Sequence, residues 1–116
     1  MDKKELEKKL AELMDLVPEC EGLIASDMNG KVLVGQTLTD MNHDLIAKEC
    51  VSIISNSNKL GNDIGKGTLK TTTVELTNGF AVLAGSDEML LIALAGLDGK
   101  ASLSLLKRNL ISLSNP

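Results

Sequence analysis

Residues 80–84 and 89–95 read FAVLA and MLLIALA, two short runs with no polar position inside them. An antiparallel strand with one wet face alternates apolar and polar residues, so two uniformly apolar strands need cover on both faces of their sheet. The remaining chain must supply that cover as helices, and three stretches have the spacing to do so. Leu6, Leu10, Leu13, Met14 and Val17 line one side of a helix over about residues 3–17, which Pro18 stops. A second helix is predicted over about residues 41–59, with Thr39 or Asp40 able to cap its start. A third follows Asp98, a possible cap, and carries a stripe of Leu103, Leu106, Leu110 and Leu113.

The strands are read from turn chemistry. Residues 22–28 and 31–36 flank Asn29-Gly30, a pair suited to the two positive φ angles of a tight hairpin turn. Residues 62–67 are rich in turn formers and predict a loop, after which the β-branched stretch 68–76 is the third strand. Asn78-Gly79 and then Ser86-Asp87-Glu88 turn that strand through 80–84 into 89–95, a three-stranded meander. The order α-β-β-α-β-β-β-α gives an α/β (α+β) three-layer sandwich, one domain over residues 1–116, with two helices on one side and one on the other.

Composition removes several functions. A net charge of −4 and a single aromatic residue, Phe80, leave neither a basic surface for phosphates nor rings for stacking on bases, so nucleic acid is not an expected partner. The longest apolar run is far too short to span a bilayer, and no apolar signal core opens the chain, so the expected location is cytoplasmic, without membrane insertion. Cys20 and Cys50, thirty positions apart with one histidine in the chain, make neither a disulfide framework nor a zinc spacing.

No cofactor, metal site or catalytic residue is expected. The stretch from Gly61 to Thr68 resembles a phosphate-binding loop, but its glycine spacer is three residues, Gly67 separates Lys66 from Thr68, and a strand follows where that loop needs a helix. His43 and Asp44 are adjacent on a helix and do not face each other. Cys50 falls in an apolar arc and Cys20 has no neighbouring cation to activate it. Arg108, the only arginine, suits a solvated cation near a helix C-terminus better than a group donated to a phosphate.

The second helix carries the strongest functional signal. At about 100° per residue, Ile46, Ala47, Cys50, Val51, Ile53, Ile54 and Leu60 spread over half its circumference, more than one sheet beneath it would bury. The third strand has only Lys70 and Glu75 as charges, which would defend it poorly if it lay at the sheet edge. A homodimer explains both features through one two-fold axis, with an interface of Ile46, Cys50, Ile53, Ile54 and Ser57 from the helix and Thr71, Thr72, Thr73 and Val74 from the strand. The other reading is a monomer with a covered edge.

The run Glu21 to Asp27 leading into Asn29-Gly30 and Val32-Leu33-Val34, the entry Gly67-Thr68-Leu69-Lys70, the run from Leu90 to Leu97 and the helix after Asp98 resemble, in order and spacing, the Roadblock family. That group includes dynein light chains and regulators or scaffolds of small Ras-like GTPases. The resemblance covers nearly the whole chain. It implies a five-stranded antiparallel sheet with the first and third helices on one face and the second on the other. It also implies a dimer built through the second helix and third strand, with a copy of itself or a paralogous Roadblock-like chain. A non-enzymatic scaffold or regulator that binds a small Ras-like GTPase is the function implied. The alternative is a subunit of a motor or multiprotein complex that presents a partner peptide or helix regardless of nucleotide state.

Overall fold

A computed structural model describes residues 2–114. The first helix, α1 (Lys3–Leu16), starts where Asp2 Oδ1 accepts from the Glu5 N–H at 2.8 Å. It buries Leu6, Leu10 and Leu13 and ends as Val17 turns extended ahead of Pro18. Strands β1 (Cys20–Ser26) and β2 (Val32–Thr37) follow as an antiparallel hairpin. Their turn differs from the expected one, because only Gly30 has a positive φ, at 85°. Asp27 organises it instead: its Oδ1 accepts from the Asn29 and Lys31 N–H groups, each at 2.9 Å, and closes a three-residue loop around Met28-Asn29-Gly30.

Helix α2 (His43–Asp63) is capped by Asn42, whose Oδ1 accepts from the Leu45 N–H, and not by Thr39 or Asp40. The reason lies upstream. The Leu38 N–H donates to the Glu21 carbonyl and the Thr37 hydroxyl donates to the Thr39 carbonyl, which keeps this stretch attached to the hairpin until Asn42. At its other end α2 runs four residues beyond the expected Lys59. Gly61 lies inside it because the following loop folds back so closely that a Cβ there would collide with the Gly67 carbonyl.

Strand β3 (Thr71–Leu76) begins three residues later than expected. The Leu69 N–H donates to Asn58 Oδ1 at 2.7 Å, which ties the preceding stretch to α2 and not to a neighbouring strand. Strands β4 (Gly79–Gly85) and β5 (Leu90–Gly96) complete the meander. A 3-10 segment, Leu97–Ser102, then leads into α3 (Leu103–Ser114). Asp98 sits inside the 3-10 segment, which starts without a side-chain cap, so Asp98 does not cap α3.

The sheet is antiparallel in the order β2-β1-β5-β4-β3. Successive residues of the central strands serve opposite cores, as the pleat requires. Leu23, Ala25, Val82, Ala84, Leu91 and Ala93 pack with Leu6, Leu10, Leu106 and Leu110 beneath α1 and α3. Ile24, Leu83, Leu90 and Ile92 pack with Cys50 and Ile54 beneath α2. The uniformly apolar strands are therefore covered on both sides, two helices against one.

Candidate interaction surface

One helix is too narrow for the face it is given. Five strands at about 4.8 Å spacing make a face about 20 Å wide, whereas a helix with its side chains is about 10 Å across. α2 packs chiefly over β1, β2 and β5. On the same face beyond it, Thr72 and Val74 of β3 are half-buried and Leu76 is 56% exposed. The result is a step, with the flank of α2 as its riser and the α2-facing side of β3 as its tread.

The riser is apolar. Ile46 and Ile53 are half-buried, and Leu60 and Ile64 are 60% and 56% exposed, all within a narrow sector at helical spacing. Ser57 lies in the same sector, with its hydroxyl donating to the Ile53 carbonyl at 2.7 Å, so it offers no unmet proton to an apolar contact. A groove of about 380 Å³ brings Ser57, Leu60 and Ile64 against Thr72, with Lys66 and Lys70 at its rim. The outer edge of β3 is paired with no strand among the described residues.

The nine residues expected at an interface thus divide. Ile46, Ile53 and Ser57 lie on the riser, Thr72 and Val74 on the tread, and Thr71 and Thr73 on the edge strand beside them. Cys50 and Ile54 are 6% and 3% exposed and face the chain's own sheet. Leu60, Ile64 and Leu76 were not among the nine. Leu60 was already visible in the apolar arc, whereas Ile64 was hidden inside a stretch of turn formers.

The remaining chemistry is structural. His43 Nε2 lies 3.0 Å from Thr37 Oγ1, and because that hydroxyl gives its proton to the Thr39 carbonyl, the ring nitrogen is the donor. The imidazole packs where a Cβ on Gly35 would stand, so His43 braces the start of α2 against β2, and the exposed Asp44 does not join it. Burial pushes the Cys50 thiol up to about 11, with the Glu49 charge adding to the effect. Burial also raises the Cys20 thiol, against the opposing pull of backbone hydrogen bonds at Gly22 and Leu94. Both are poor nucleophiles at neutral pH.

The loop that resembles a phosphate cradle commits its N–H groups to α2. Ile64 donates to Leu60, Gly65 to Asn62 and Lys66 to Gly61, closing the helix end and leaving those donors nothing for an anion. Arg108 is exposed on α3, on the opposite side of the sheet from the step. Among the described residues no three His, Cys, Asp or Glu side chains converge to hold a metal ion, and no helix is long and apolar enough to cross a membrane.

Comparison with known proteins agrees with this architecture. The sequence model of the Roadblock/LC7 domain matches residues 6–95. MglB of Myxococcus xanthus superposes with a TM-score of 0.84 at 12% identity, over 97% of this chain and 86% of that one. A Roadblock/LC7 domain from Streptomyces avermitilis gives 0.79 at 20% identity, over 92% of each chain. The gliding protein MglB from Thermus thermophilus gives 0.78 at 13%, over 97% and 90%. No curated protein matches at a significant level.

Proposed function

The chain belongs to the Roadblock/LC7 family, and from that premise we propose that it is a single-domain, non-enzymatic, cytoplasmic scaffold or regulator that acts as a homodimer and binds a small Ras-like GTPase. The observation that carries the dimer is the step beside α2. A two-fold axis normal to the sheet and beside β3 sets a second α2 antiparallel to the first on the same face, so that the uncovered halves of the two faces are enclosed between the two helices. Each full burial of a Leu or Ile side chain is worth about 1.5–3 kcal/mol, so covering Leu60, Ile64 and Leu76 on both copies is a substantial driving force even after association costs. The same axis lets β3 pair with its copy, which satisfies the open edge. Riser, tread and edge are the interface, with Ile46, Ile53, Ser57, Thr71, Thr72, Thr73 and Val74 in contact and Cys50 and Ile54 supporting the helix from below.

The GTPase rests on the family premise. Burial raises both thiols and keeps them protonated at neutral pH. Arg108 stands on the far side of the sheet, so any effect on hydrolysis comes from positioning the GTPase's own groups. The test is capture of partners from the protein's own cell lysate with GTP and GDP analogues added in parallel. A small GTPase retained in one nucleotide state supports the reading, because a state reader needs differential affinity. Equal retention in both states favours a nucleotide-independent complex subunit instead.

A further inference from the structure

The two outer strands of the sheet differ in a way that decides how copies can join. β3 runs opposite β4 in unbroken register from Thr71 against Ala84 to Leu76 against Gly79. β2 keeps register with β1 from Val34 against Ala25 to Thr37 against Gly22 but breaks it at its start: Val32 lies opposite Ser26, so Leu33 is an extra residue with no opposite number. Packing records the same break. Residues two apart in a regular strand share a face, yet Val32 packs into the core beneath α2 and Val34 into the core beneath α1 and α3. Such a bulge bends its strand and sharpens the twist, which spoils the even row of N–H and C=O groups that an incoming strand must match. β2 holds no charged residue and no proline, so the bulge is what guards its edge.

We infer that the Leu33 bulge bars the β2 edge from pairing and so confines assembly through this sheet to the β3 edge, where a second copy of the chain is the partner. The inference rests on the two-chain reading above. A chain with two open edges would pair β3 with β3 and β2 with β2 in turn, and two different two-fold contacts in one sheet build a filament without end. With one edge barred, the assembly closes at two chains.

Deletion of Leu33 tests this with little cost to the core, since Val32 and Val34 become neighbours on opposite faces and keep Ser26 and Ala25 as their partners. The expected result is a folded chain by circular dichroism that forms species of four or more chains where the unaltered protein keeps a constant mass. Adding Gln36→Lys to the deletion, which places a charge on the exposed strand, should return that mass. A folded deletion variant with the unaltered protein's mass overturns the inference. Should the deletion variant not fold, hydrogen exchange on the unaltered chain decides: β2 amides that stay equally fast at rising concentration support the bar, and β2 amides that become protected overturn it. A one-chain mass for the unaltered protein, or β3 amides unprotected at every concentration, counts against the two-chain reading alone.

Discussion

The two faces of the sheet are finished to different degrees. Under α1 and α3, Leu10, Leu23, Leu91, Leu106 and Leu110 are all at 1% exposure or less, and the two helices together cover β1, β2, β4 and β5. Under α2, Ile24, Leu83, Leu90 and Ile92 are as deeply buried, yet Leu60, Ile64 and Leu76 beside them stay more than half in water. The difference is one of width, because a single helix can cover only about half of five strands. A fold that gives two helices to one face and one to the other leaves an apolar step on the second, which is where the proposed contact falls.

Mutations can break this contrast. Ile53→Asp on the open face places a charge on each side of the proposed contact, and burying two unpaired carboxylates should cost at least about 4 kcal/mol, weakening the dimer roughly a thousandfold. Sedimentation or light scattering across a dilution series reads the loss; an unchanged dimer removes Ile53 from the interface. Leu106→Ala on the closed face should cost about 3 kcal/mol in urea unfolding through the cavity it leaves, while the variant stays in the unaltered assembly state. A change of assembly state there would erase the distinction between the faces.

Smaller effects sharpen it. Thr73→Lys puts like charges near one another across paired β3 strands and should weaken the dimer by about 1 kcal/mol, an effect that salt reduces. No effect at low ionic strength would mean that the β3 edges do not meet. The last test is pH. The Cys50 thiol is raised from 9.0 to about 11 in the folded chain, so its contribution to stability is complete below pH 9 and is lost as pH rises toward 11. Cys50→Ala should flatten that decline in thermal unfolding, and an identical decline in the variant would assign it to other groups.

Much of this was legible in the sequence for stated physical reasons. The apolar runs 80–84 and 89–95 demanded two covered faces, and the breadth of the α2 arc signalled an apolar flank that its own sheet does not bury. Local signals failed where tertiary contacts overrode them. Asn78-Gly79 reads as a turn that needs positive φ, yet Gly79 has none, and glycine is required there because a Cβ would come 2.5 Å from the Ala95 carbonyl oxygen on β5. The sequence alone ends α2 at about Lys59, because nothing in it signals that a loop returns against Gly61. The bulge at Leu33 has no residue signature at all, since Val32-Leu33-Val34 looks like an ordinary strand until Val32 and Val34 are seen in opposite cores.

In the proposed dimer a second chain covers the open face. Light scattering on the purified protein at micromolar concentration measures this without mutation or partner. A dimer gives a mass of twice 12.3 kDa, constant over the micromolar range. A mass of 12.3 kDa would contradict it and leave the apolar step beside α2 in need of another occupant.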